Sequence, residues 1–351
     1  MPRVRIFPLL IFILLSFFPS VYGKSELSVE WITEPPFPKI VPDQSVVKST
    51  LRVKDQTGNL VPNVYLKMKM HAPQGHTFIS TDFPIVEKTQ LMEYAGVLPQ
   101  GVWTFDYIYP IRGVYRIEVE AQKDPLSAIH QSVMMMKVNE NPAEKRNLLI
   151  LLGLLFGFGI WAGFIIGRGD QARRAVSIMV VVISISIAGF GFMTGDVAAG
   201  HDAHGKNLKG PLTETVTNGN VVLEFLMDPG QGRVGTLNRL TLRALDLKGR
   251  LIPNTAFAVK IWHQEDDKPV FATEMTSLSG EFQWGYQFFD GAEHEVRVMV
   301  DNALGHAQLQ QVVGVEGIHP PLPIKVRTIF YFLAIVGLGN ILGVKASRMR
   351  S

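Results

Sequence analysis

The feature that most constrains this 351-residue chain is a pair of long uncharged runs near its middle, Leu148 to Gly167 and Ala175 to Gly195, separated only by Arg168-Gly-Asp-Gln-Ala-Arg-Arg174. At about 1.5 Å of rise per helical residue, runs of this length cross the roughly 30 Å hydrocarbon core of a bilayer. A third uncharged run, Thr328 to Val344, is followed by Lys345, Arg348 and Arg350. Three spans are therefore expected. None contains Asp, Glu, Lys, Arg or His, which argues against a pump or channel, because ion paths need such groups at depth.

Orientation follows from two arguments that agree. Met1 to Gly23 carries Arg3 and Arg5, an apolar run from Ile6 to Phe18 and small residues near Gly23, the layout of a secretory signal peptide. The three arginines of 168–174 and the basic tail belong on the cytoplasmic side by the positive-inside bias. The expected plan is signal peptide 1–23, extracytoplasmic domain 24–146, span 147–167, cytoplasmic loop 168–174, span 175–195, extracytoplasmic domain 196–325, span 326–344 and cytoplasmic tail 345–351. This is a multi-pass protein of the cytoplasmic (inner) membrane with both large domains periplasmic. Arg168-Gly169-Asp170, which spells an adhesion tripeptide, then lies in a cytoplasmic turn and reads as topogenic charge.

Small residues recur at four-residue spacing in the spans: Gly153/Gly157, Gly159/Gly163/Gly167, Gly191/Gly195 and Gly339/Gly343. Glycine at that spacing clears a groove for another helix. Packing within this chain is the plainer reading, and a partner membrane protein is the sharper one.

Outside the spans, short alternating segments such as Ser49–Val53, Tyr65–Met70, Val114–Glu120 and Glu295–Val300 read as strands. Internal repetition is more informative. Thr50 to Lys69 aligns without gaps on Thr241 to Lys260 with nine identities in twenty, sharing Asp55/Asp246, Gly58/Gly249 and Pro62-Asn63/Pro253-Asn254. Gly101–Tyr109 aligns on Gly280–Phe288 with aromatics at every second residue, so they share one face of a strand. Continuing without a gap, His294 falls on Tyr115. The fold class expected is mainly β: two tandem immunoglobulin-like β-sandwich domains, the second a duplicate of the first, plus three transmembrane α-helices.

The order Asp-x-x-Gly-x-x-x-Pro, a strand ending in Met/His, an aromatic strand and Gly113-Val-Tyr115 resembles the FixH/YtkA-like family of extracytoplasmic immunoglobulin-like domains, over roughly residues 45–121 and 236–300. The resemblance implies a link to copper handling or to assembly of membrane oxidases. Those proteins carry one anchor and one domain, whereas three spans and two domains are expected here.

With no cysteine, a disulfide scaffold, a thiolate metal site and a Cys nucleophile are excluded. A net charge of +3, from 34 basic and 31 acidic residues, leaves no nucleic-acid footprint. No nucleophile elbow, His-Glu-x-x-His, P-loop or dinucleotide fingerprint occurs. The chemistry that remains is metal ligation. Met68, Met70, His71 and His76 offer thioether and imidazole donors suited to copper. His201 and His204, near Asp196, offer a second set on a Gly-rich linker. The favoured reading makes Met68 and Met70 core residues and the histidines solvated loop residues. His263, Met275, His294, Met299, His306 and His319 read as scattered, and Met134-Met-Met136 as the outer face of the strand before the first span. The expectation is a non-enzymatic, membrane-anchored binding or assembly protein, an accessory factor in copper handling or complex assembly. The alternatives are a structural or sensory envelope protein without metal, and a non-catalytic subunit of a membrane enzyme.

Overall fold

A computed structural model describes residues 27–75, 83–167, 210–319 and 321–349. The expected signal peptide, the span 175–195, His76, His201 and His204 lie outside the described residues.

The first repeat comprises β1 (Leu27–Glu34), β2 (Val47–Asp55), β3 (Val64–His71), β4 (Gln90–Leu98), β5 (Val102–Tyr107), β6 (Gly113–Gln122) and β7 (His130–Val138). After β8 (Leu212–Asn218), the second repeat comprises β9 (Val221–Asp228), β11 (Leu237–Leu245), β12 (Thr255–His263), β13 (Lys268–Ser277), β14 (Glu281–Gln287), β15 (Glu293–Asn302) and β16 (Gly305–Glu316), with β10 (Gly232–Arg233) as a two-residue addition. Helix α1 (Pro142–Ile166) follows β7, and helix α2 (Leu322–Arg348) follows β16.

In the first repeat, β1-β2-β5 face β7-β6-β3-β4; in the second, β9-β11-β14 face β16-β15-β12-β13. The fourth strand of each repeat lies beside the third, not beside the fifth as in constant-type immunoglobulin domains. The duplication extends to turn chemistry. Asp55 Oδ1 accepts from the Thr57 and Asn59 amides at 2.8 and 3.0 Å, and Asp246 Oδ1 from the Lys248 and Arg250 amides at 2.9 Å each. Gly58 and Gly249 have φ of +87° and +77°, the left-handed region that both turns require.

The repeats are not two independent sandwiches, which corrects the tandem reading. Strand β5 pairs with β13 (Phe271 opposite Tyr107) and β4 with β14 (Trp284 opposite Tyr94), so two eight-stranded sheets run through both repeats. In a lone repeat the fourth and fifth strands would be open edges with unpaired amides. Here each repeat closes the other's edges, related by an approximate two-fold. One core results, with aromatic contacts across the repeats: Tyr94 meets Phe282 (6.1 Å between centroids), Phe105 meets Phe271 (6.4 Å), and Tyr107 faces Tyr286 (6.4 Å). Trp103 Nε1 also donates to Thr273 Oγ1 at 3.0 Å, across the repeats.

Both described helices are long and apolar enough to cross a membrane. Asn141 caps α1, accepting from the Ala143 amide at 2.9 Å, and Pro142 occupies the first turn where its missing amide costs nothing. The helices run side by side in the same direction: Gly159 abuts the Val336 backbone, Gly163 that of Asn340, and Gly339 and Gly343 those of Phe156 and Ile160. Any Cβ at these four positions would collide with the facing backbone, so the glycine spacing serves packing within the chain. Gly153 and Gly157 meet nothing among the described residues.

Candidate functional site

The proposed copper donors do not converge among the described residues. Alternation along β3 turns Met68 and Met70 into the core, both fully buried, while His71 emerges on the opposite face. There His71 Nε2 lies 3.9 Å from Glu118 Oε1. A register shift between Met70 and His71 leaves that separation in place. A metal ion cannot reach the two thioethers without opening the sandwich. Among the described residues, no group of three or more His, Asp or Glu is placed to hold a metal. The methionine run 134–136 alternates too: Met135 is exposed, but Met136 is buried, so the run is not a uniform outer face.

The histidines that read as scattered include two that meet. In the first repeat, Tyr115 is near the start of β6; its hydroxyl donates to the Ile111 carbonyl and accepts from the Ile111 amide at 3.1 Å. This is the tyrosine corner of immunoglobulin-like sandwiches. Burial pushes the Tyr115 hydroxyl well above the usual phenol range, so this corner stays neutral. In the second repeat, His294 takes the place of Tyr115, and its cross-strand partner is His263, at the end of β12. Their rings meet edge to face at 4.9 Å, and both are buried.

Charged groups surround this pair on one side. His263 Nε2 is 3.4 Å from Asp290 Oδ2, off line for an aligned hydrogen bond and best described as a charge contact. His263 Nδ1 accepts from the Asp266 amide at 3.1 Å, with Asp266 Oδ2 at 3.8 Å. Lys268 Nζ lies 2.9 Å from Asp266 Oδ2 and 3.2 Å from Asp43 Oδ1, tying the second repeat to the first. His294 Nδ1 is 3.2 Å from the Ala292 carbonyl, which can only accept and so fixes the proton on Nδ1.

Burial opposes charge on both imidazoles, with different outcomes. At His263 the Asp290 and Asp266 carboxylates outweigh burial, and its pKa is raised. At His294 burial, reinforced by the neighbouring His263, pushes the pKa down to about 4. Burial also raises Asp43, partly offset by Lys268. Strands β7 and β16 run toward their helices, Tyr115 lies opposite Met136, and His294 lies opposite Val313. Both corners therefore occupy the helix-bearing end of the sandwich.

The other end carries a groove of about 690 Å³ on the outer face of the β12–β13–β15–β16 sheet. Its floor is low because β12 presents Ala256 and Ala258 where β3 carries Tyr65 and Lys67; its walls are Glu274, Met299, Asp301 and His306, with Gln100 from the first repeat. This gathers three more of the scattered residues, Met275, Met299 and His306. The repeat alignment marked His294 as the odd residue in a structural position, but nothing in the sequence joined it to Asp43, Asp266 or Asp290.

No protein-family model matches the chain, and no curated protein sequence matches it. Among solved structures it is similar to the Yersinia pseudotuberculosis adhesin InvE, at 10% identity over 83% of this chain and 61% of that one, with a TM-score of 0.21. It is likewise similar to the native conformation of E. coli alpha-2-macroglobulin (6% identity, 83% and 14% covered, TM-score 0.24) and to red sea bream transglutaminase (8%, 84% and 32%, 0.22). The chain spans less than two thirds of the length of each of these proteins. Likeness this weak transfers none of their properties to this chain.

Proposed function

We propose that the chain is a non-enzymatic, membrane-anchored binding or assembly protein that holds one rigid double β-sandwich close to the outer surface of the cytoplasmic membrane. The observation that carries this reading is the mounting. Only residues 139–141 separate β7 from α1 and only 317–321 separate β16 from α2, and the two helices are interlocked through glycine. Both repeats of the fused sandwich are thus clamped at one end to parallel helices, a geometry suited to presenting a fixed surface rather than to reaching for a distant target.

The full topology, with a third span at 175–195 and both repeats periplasmic, belongs to this proposal. So does the FixH/YtkA resemblance, which the tyrosine corner at Tyr115 supports at the level of the sandwich. Copper handling is the partner class that resemblance implies; with Met68 and Met70 in the core, its remaining donors would be His71, His76, His201 and His204.

The chain has no cysteine, which makes the test direct. Single Leu126→Cys, Leu304→Cys and Met349→Cys variants are exposed to a membrane-impermeant maleimide on intact spheroplasts. Labelling at 126 and 304, with 349 labelled only after permeabilisation, is the expected result; the reverse pattern overturns the topology. A photo-crosslinking residue at Ala258 or Met299 should then give a discrete adduct with a membrane-complex subunit, and absence of any adduct favours the purely structural alternative. Elemental analysis of the purified protein after copper loading, with and without His201→Ala/His204→Ala, decides the metal branch.

A further inference from the structure

The tyrosine corner of the first repeat has become an imidazole pair in the second, with both an amide donor and carboxylates within reach of His263. We propose that His263 is a proton-operated switch of the 264–267 turn at the helix-bearing end of the sandwich: neutral, it holds the turn through the Asp266 amide; protonated, it releases that amide and takes the Asp266 carboxylate away from Lys268.

The geometry forces the two states apart. His263 Nδ1 accepts from the Asp266 amide at 3.1 Å, which requires a bare Nδ1 and leaves the proton on Nε2, facing Asp290. Adding a proton to Nδ1 sets two N–H groups against each other, and the acceptor nearest to hand is Asp266 Oδ2, 3.8 Å away. That carboxylate now holds Lys268 Nζ at 2.9 Å, and Lys268 also reaches Asp43 in the first repeat at 3.2 Å. Protonation thus exchanges one partner of Asp266 for another and leaves Lys268 with Asp43.

Every charged neighbour bears on this exchange. From the β14–β15 connection comes Asp290; from the turn, Asp266; from β13, Lys268; from β15, His294; and from the first repeat, Asp43 behind Lys268. On the outer face, Asp267 accepts from Trp262 Nε1 at 3.0 Å, and Arg297, paired with Glu295, lies over the Trp262 ring at 5.6 Å. His294, with its proton fixed on Nδ1 toward Ala292, stays neutral while His263 titrates, because two imidazolium ions cannot share this buried contact. The device is built into the repeat that lost its tyrosine and is absent from the one that kept it.

The test uses the full chain in detergent with ¹⁵N-labelled histidine and per-residue amide exchange. Followed from pH 5 to 8.5, His263 should titrate above the ordinary imidazole value and show its proton on Nε2 when neutral, while His294 stays neutral as the Nδ1–H form throughout. The Asp266 amide should lose protection as the pH falls below the His263 pKa, by at most about tenfold per pH unit for one coupled proton. In His263→Asn, whose Oδ1 stands where Nδ1 does and accepts from the same amide at every pH, protection should be independent of pH. An Asp266 protection factor that tracks pH equally in both proteins overturns the proposal. If the variant does not fold, the wild-type protein alone decides: a His263 that fails to titrate in this range, or an Asp266 amide indifferent to its titration, overturns it.

Discussion

The two corners of the sandwich occupy equivalent positions and solve the same problem with different chemistry. At Tyr115 one hydroxyl satisfies both the amide and the carbonyl of Ile111 inside the core, using a group that carries no charge at physiological pH. At His294 the ring reaches only the Ala292 carbonyl, and Ile111 is replaced in register by Asp290, which faces His263 instead. The first solution is a neutral structural lock. The second imports titratable groups into a buried joint, so that of the two corners it is this one that couples stability to pH near neutrality.

The largest expected effect tests whether the repeats are one body. Phe105→Ala and Trp284→Ala remove equivalent fully buried aromatics, and each should cost about 3–5 kcal/mol. Because the sheets are continuous, calorimetry should show a single transition shifted by either substitution. Two transitions, one moving and one fixed, would restore two independent domains.

Next in size is the lock itself. Tyr115→Phe leaves the Ile111 amide and carbonyl without a partner in the core, at a cost of about 1–3 kcal/mol. The loss measured in urea should be the same at pH 6 and pH 8, since nothing that titrates there is removed.

The second corner should behave otherwise, by an amount limited to about 1.4 kcal/mol per pH unit for one proton. His263, whose pKa is raised on folding, contributes stability that is complete below its unfolded pKa and is lost as the pH rises through the folded value. His294, lowered to about 4, contributes stability present above its unfolded pKa and lost as the pH falls toward 4. Their sum is a maximum near pH 6.5. His263→Gln should flatten the alkaline arm in pH-dependent melting and His294→Tyr the acid arm; parallel profiles would remove the difference between the corners.

Smaller again is the turn pair. Gly58→Val and Gly249→Val each force a β-branched residue to positive φ with open space around it, so the cost is backbone strain of about 1–2 kcal/mol. Equal losses in the two variants would sharpen the duplication, and a neutral result in either would break it. Smallest is Lys268→Met: its carboxylate partners are partly exposed, so the loss should stay at or below about 1 kcal/mol and shrink in high salt.

The sequence by itself determined whatever depends on local pattern. Period-two alternation marked β2, β3, β6 and β15, the Asp–Gly units gave the paired turns, and uncharged length marked α1 and α2. Even the reading of Met68 and Met70 as core follows from alternation, since residues two apart on a strand share a face. The tertiary structure alone decided what depends on contacts between distant residues. That the fourth and fifth strands of each repeat are closed by those of the other follows from edge satisfaction, for which one repeat's sequence carries no sign. The meeting of His263 with His294, and of Lys268 with an aspartate 225 positions away, is a property of register and burial. Two imidazoles in a sequence are ordinary polar residues; brought together in a buried joint, the pair can take up only one further proton.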